Sequence, residues 1–299
     1  MQGSKVIRVA REKGFAEVGR RALYYGLSSM GTRLSRAADR FQPNHTMVLN
    51  ADDKRLLASN SELKGLHSGR RCFVLGNGPS LQLEDLRPLG REVTVVMNRF
   101  FDNPIIEDWK PTYYCLSDPA FFNGTDQTRA MADNHHRVAE STFFAPLHFR
   151  KDIERASVLP SERTRYLLFR GELKDAPLRE IDLTSYVPGI SSVSELCVLV
   201  ALYMGCSPIY LLGLDHDWLA HKSLYGEWQQ YTYKFVMEFQ HRLWCGYERL
   251  AEYAAERNVE IVNLTQGTYL DVFKCEDYQS VVIPERQIEH CAPALASTA

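Results

Sequence analysis

The sequence predicts an α/β fold with a Rossmann-like, mainly parallel sheet and flanking helices. Apolar runs of strand length recur at residues 72–75, 92–97, 112–116, 142–145, 209–215 and 259–264. Each is continuous rather than alternating, as expected of strands buried on both faces. Several run straight into small or polar residues: Gly76-Asn77-Gly78 after the first, Asn98 after the second, Ser117-Asp118 after the third and His216 after Asp215. Strand ends of that kind line one crevice at the C-terminal edge of a parallel sheet.

In chain order, residues 1–45 carry nine basic side chains (Lys5, Arg8, Arg11, Lys13, Arg20, Arg21, Arg33, Arg36, Arg40) against three acids (Glu12, Glu17, Asp39). Apolar positions there recur at near-helical spacing, so a basic amphipathic helical extension is expected. It would rest on an anionic membrane surface or pack on its own domain or a partner subunit. Residues 46–70 are a polar lead-in, helical around 54–66. The first strand, 72–75, breaks into Gly76-Asn77-Gly78-Pro79-Ser80, where glycines allow a close approach and a following helix would offer its N-terminus to an anion. The same turn also occurs as a plain connection in many α/β proteins, and it lacks the full dinucleotide and P-loop spacings.

Beyond the strand at 92–97, Asn98 stands at the strand end, and Asp118 does the same after 112–116. Residues 123–140 read as a helix, and 142–145 as another strand. Residues about 150–188 are irregular and charged, which predicts a lid insertion. Gly189-Ile190-Ser191-Ser192 caps an apolar helix at 193–204, ended by Gly205, and leads into the strand that finishes on Asp215. A segment rich in aromatic and polar residues follows at 216–235, either a packed cluster or a substrate pocket. A helix at 239–257 and the strand at 259–264 complete the domain, which is expected to span 46–285 with a loose tail at 286–299.

Composition narrows the function. Apolar residues make up 45% and charged residues 24%, which supports a sizeable core. A formal net charge of −2 argues against general nucleic-acid binding. The seven cysteines show no CxxC pair, and several lie in apolar runs, as in a reducing compartment. No run reaches the roughly 18 to 20 apolar residues of a membrane span, and no signal peptide is visible, so a cytoplasmic location is expected.

Four stretches in order, GNGPSL at 76–81, VVMNRFF at 95–101, SDPAFF at 117–122 and the GISS helix leading to IYLLGLD at 209–215, cover about two thirds of the chain. They resemble the bacterial lipooligosaccharide sialyltransferases of glycosyltransferase family 42. They also resemble the wider family that includes motility-associated flagellin glycosyltransferases and an archaeal pterin diphosphokinase. The resemblance implies a GT-A-like variant of the α/β fold. It also implies a metal-independent transfer of a sugar, such as sialic acid or another nonulosonic acid from a CMP donor, to a bacterial surface glycan or lipid-linked glycan.

It places Gly76, Asn77, Gly78 and Ser80 at the nucleotide phosphates and Asn98 on the nucleotide. Asp118 stands where the family has an asparagine, Ser191 and Ser192 lie beside the sugar or phosphate, and Asp215 ends the strand across from them. Counting back from Val259 puts the family's catalytic histidine at His241. Such a base takes the acceptor's proton near neutral pH, while amides, hydroxyls and helix dipoles meet the charge of the departing phosphate. The family's leaving-group tyrosine is replaced here by His216-Asp217-Trp218, with Tyr225 the nearest tyrosine. That departure leaves the donor open and gives His216 or Tyr225 the tyrosine's role. No metal and no cofactor beyond the nucleotide-sugar are expected. Expected partners are the donor, the acceptor, an anionic membrane at the inner face and a homo-oligomer. A diphosphotransferase of the pterin type, holding Mg²⁺ on Asp118 and Asp215, is the alternative.

Overall fold

The computed structural model describes residues 48–176, 180–221 and 231–282. Within them nine strands form one sheet: β1 (Cys72–Leu75), β2 (Val93–Met97), β3 (Tyr113–Cys115), β4 (Thr142–Pro146), β5 (Thr164–Arg170), β6 (Tyr186–Pro188), β7 (Ile209–Leu212), β8 (Ile261–Asn263) and β9 (Lys274–Cys275). Their order across the sheet is β6-β5-β4-β3-β2-β1-β7-β8-β9, and every neighbouring pair is parallel. Strands β1 to β6 therefore step outward in one direction, and β7 to β9 step outward in the other. The reversal falls between β1 and β7, where Cys72 to Leu75 register against Ile209 to Leu212. Open α/β sheets form their ligand crevice outside the carboxyl ends of the strands that flank such a reversal.

The helices among the described residues are α1 (Ala51–Ala58), α2 (Asp126–Asn134), α3 (Arg150–Ala156), α4 (Val193–Tyr203), α5 (Trp218–His221), α6 (Tyr233–Ala255) and α7 (Tyr278–Val282). Every residue of α4 is buried, as its apolar sequence requires, and it packs in one core with Val74, Val95, Met97 and Leu211 of the sheet. Truncating one of its leucines, such as Leu199, to alanine removes contacts of a kind that cost about 2–5 kcal/mol. Helix α6 lays Leu243, Tyr247, Leu250 and Ala254 on that core, a stripe at spacings of three and four. Because α4 leads from the end of β6 to the start of β7 in a parallel sheet, its N-terminus lies at the C-terminal edge, and Ser194 in its first turn is linked through Tyr247 to His216 just beyond β7.

Six strands stand where the apolar runs predict them. The segment expected as a lid, 150–188, instead supplies α3, β5 and β6 and extends the sheet. Its strand character is masked by arginines that the structure accommodates at the rim: Arg165 pairs with Glu62 and Ser59, and Arg170 lies over the Tyr186 ring. The lead-in is tied down by Asn60, wholly buried, whose amide donates to the carbonyls of Tyr166 and Leu183. The helix expected after the glycine turn is a five-residue 3₁₀ turn, Pro79–Leu83, with Pro79 at its first position and a second such turn at Arg87–Arg91. Four buried cysteines, Cys72, Cys115, Cys197 and Cys206, are free thiols in the core, in line with their apolar setting. The expected basic extension at 1–45 and the tail at 286–299 lie outside the described residues. No described helix is long and apolar enough to cross a membrane.

Candidate functional site

The glycine turn leaves β1 against the end of β7. Gly76 N–H donates to Leu212 O at 2.8 Å, Gly78 N–H to Gly213 O at 2.9 Å and Leu81 N–H to Gly78 O at 3.1 Å. Ser80 gives both its donors to Asp215: N–H to Oδ1 at 3.1 Å and the hydroxyl to Oδ2 at 2.8 Å. A Cβ on Gly76 would overlap the Gly213 carbonyl, and one on Gly78 would overlap the Asp215 carboxylate. These glycines admit another part of the same protein. The expectation of bare amides facing a phosphate at Gly76, Gly78 and Ser80 is corrected accordingly: those amides are taken, and no α-helix follows to add a dipole.

Asp215 is half-buried, and burial raises its pKa above the ordinary carboxylate value against the lowering effect of Ser80. Each carboxylate oxygen accepts once from Ser80 and keeps a second lone pair. An acceptor of that kind suits hydroxyl donors. The strand end is shaped by Gly213, with φ of +69°, and by His216, which holds a left-handed φ of +51°.

At the N-terminus of α4, Ser192 is the cap and Glu195 completes a capping box. Glu195 Oε2 accepts from Ser191 N–H at 2.5 Å and Ser192 N–H at 2.9 Å. The side chain is wholly buried, its Oε1 has no partner, and burial pushes its pKa up to about 8. Near neutral pH this acid is mostly protonated, so it caps the helix without cancelling its dipole. Gly246 of α6 is the space it occupies, since a Cβ there would overlap Oε1. A chain of hydroxyls starts beside it. Ser194 Oγ donates to Ser192 Oγ at 2.9 Å, Tyr247 OH donates to Ser194 Oγ at 2.7 Å, and His216 Nε2 stands 2.9 Å from Tyr247 OH. His216 is 4% exposed among Trp218, Trp244 and Tyr247; its Nδ1 has no partner, and burial drives its pKa down to about 3.

The other expected residues divide. Asn77 is drawn to the same edge by its side-chain amide, which donates to Met97 O at 2.9 Å. Asn98 sits beside it with φ of +50°, its Oδ1 buried and without a donor. Asp118 is exposed and is used as the cap of the turn Pro119–Phe121, accepting from Ala120 N–H at 2.8 Å. His241 is exposed on α6, off the buried stripe that carries Tyr247, with Cys245 Sγ 3.9 Å from its ring. Among the described residues no hydrogen bond joins it to the crevice. Tyr225 lies outside the described residues. Sequence reading missed Ser194, Glu195 and Tyr247. The Ser192-x-x-Glu195 pattern and a lone glutamate in an otherwise apolar helix were the signals available for the first two.

No family model and no curated protein matches the chain. Among solved structures, six chains match, one of them the MAf glycosyltransferase from Magnetospirillum magneticum AMB-1. The identity is 17% and the TM-score 0.47, over 83% of this chain and 42% of that one. A likeness of this size carries nothing of that protein's activity to this chain, which spans less than half of its length.

Proposed function

We propose that the chain is a nucleotide-sugar-dependent glycosyltransferase whose donor lies in the crevice between the ends of β1 and β7. The observation behind this reading is the convergence, at the one reversal of the sheet, of Asp215, Asn77, Asn98 and the Ser191-Ser192 end of α4. The ordered GNGPSL, VVMNRFF, SDPAFF and GISS stretches supply the chemical class.

In this reading Asp215 accepts hydroxyls of the ribose or the sugar, and Asn98 Oδ1 meets a donor of the nucleotide. The departing phosphate goes to the hydroxyl-bearing end of α4. The acceptor's oxygen forms a bond to the anomeric carbon as the bond to the phosphate breaks. The electron pair leaves with the phosphate, and His241, an exposed histidine, takes the acceptor's proton. The donor is a CMP-linked nonulosonic acid and the acceptor a surface or lipid-linked glycan, reached through membrane contact of the basic residues 1–45. The diphosphotransferase alternative gains no support from the geometry: Asp118 is an exposed turn cap, Asp215 is tied to Ser80, and among the described residues no cluster of three or more metal-ligating side chains includes either.

A calorimetric screen of CMP-, UDP- and GDP-sugars against the full chain tests the reading, followed by product analysis with the donor that binds. One donor class is expected to bind, and His241→Ala to lower transfer by about 100-fold or more while leaving binding intact. Binding of none of these donors overturns the reading. Unchanged transfer in His241→Ala removes that residue from it.

A further inference from the structure

Resting on the reading above, we propose that Arg242 and the Ser192 hydroxyl together hold the ligand's phosphate at the N-terminus of α4, with Ser194, Tyr247 and His216 as the positioning residues behind Ser192. Arg242 makes no hydrogen bond or ion pair among the described residues, although many arginines of the domain do. Its charge nevertheless reaches Glu195, the acid that caps α4. It lies four residues before Gly246 on α6, and Gly246 is where the Glu195 side chain rests, so the guanidinium is placed on the helix face that meets the start of α4. An unpaired, partly exposed guanidinium beside an 11-residue helix's N-terminus is a site for a doubly charged oxyanion.

The hydroxyl chain supplies the second donor through its direction. His216 is neutral, with Nε2 against Tyr247 OH and Nδ1 without a partner. Of its two tautomers, the one with hydrogen on Nε2 leaves only an acceptor unmet, which buried protein tolerates better than an orphaned N–H. Nε2–H then donates to Tyr247, Tyr247 to Ser194 and Ser194 to Ser192. Ser192 Oγ also accepts from Ser194 N–H, so it receives two hydrogens and its own is left to point away from the chain. That hydrogen has a fixed direction, set by three side chains buried beneath it. The Ser191 and Ser192 amides are held by Glu195 Oε2, so the phosphate is met by a side-chain hydroxyl and a guanidinium.

The test titrates the full chain with the four nucleoside monophosphates and their parent nucleosides, reading affinity by calorimetry and ligand-observed NMR, with thermal melts as a check on folding. Expected are tighter binding of one monophosphate than of its nucleoside, about a tenfold loss for the monophosphate alone in Arg242→Gln, and recovery of most of it in Arg242→Lys. Tyr247→Phe should weaken the monophosphate selectively. Ser192→Ala, which alters no buried member of the chain, should do the same and stands in if Tyr247→Phe does not fold. If wild type binds a nucleotide but Arg242→Gln loses nothing, or loses nucleoside and monophosphate alike, the assignment of Arg242 is overturned while the glycosyltransferase reading stands. An unchanged monophosphate affinity in Ser192→Ala overturns the hydroxyl chain in the same way. Wild type that binds no monophosphate overturns this assignment and the site reading together.

Discussion

The two sides of the crevice, the glycine turn after β1 and the start of α4, both carry a carboxylate where an anion was expected, and they use it in opposite ways. At the turn, Asp215 comes from across the sheet reversal, stays half-buried and takes both donors of Ser80. At α4, Glu195 belongs to the helix itself, is wholly buried and carries a proton near neutral pH. The turn has therefore become a hydroxyl-accepting surface despite its glycines. The helix keeps its dipole and carries the Ser192 and Ser194 hydroxyls at its start, behind a capping box that the sequence already spells. Glycines in a strand-end turn report that something approaches closely, and only coordinates tell whether that is a ligand or the protein's own side chain.

The sharpest break in this comparison is Gly78→Ala. A methyl group there overlaps the Asp215 carboxylate, so unfolding free energy should fall by about 3 kcal/mol in urea titrations. The double variant Gly78→Ala with Asp215→Ala should recover much of that loss. Strictly additive losses would show that Asp215 is not what the glycine accommodates.

A smaller effect tests the buried proton of Glu195 by pH. Both native and unfolded Glu195 hold a proton below about pH 4.5; between there and about pH 8 only the native state does, so stability falls as pH rises through that window. His216 acts in the opposite sense: it stays neutral in the native state down to about pH 3, so its contribution is lost as pH falls from about 6.5 towards 3. Between pH 6.5 and 8 the Glu195 effect stands alone. Wild type should lose about 2 kcal/mol there, while Glu195→Gln, which keeps the carbonyl that accepts from Ser191 and Ser192, should stay level. Parallel pH curves for the two proteins would mean that Glu195 is ionised in the native state.

Much of the sheet was legible because its central strands are unbroken apolar runs. β1 and α4 announce themselves by having nothing polar to bury except Ser194 and Glu195. What stayed hidden was physically unmarked. β5 carries arginines at its second and last positions, β6 has three residues and β9 has two, too few to show a pattern. The site was legible as positions rather than as roles. Asn98, Ser192 and Asp215 come to one edge because parallel strands and their crossover helix force that placement. That Ser80 would face Asp215, or that Tyr247 would reach Ser194 across 53 residues, depends on tertiary packing that no local spacing encodes.

Hydrogen–deuterium exchange of the full chain, with and without a saturating nucleoside monophosphate, tests the central claim most directly. Protection is predicted in peptides covering 76–81, 98, 191–194 and 213–217, the segments that meet at the β1–β7 reversal. Protection instead around Lys64, Glu180 and Arg257, which line a separate cleft at the other end of α4, would contradict it.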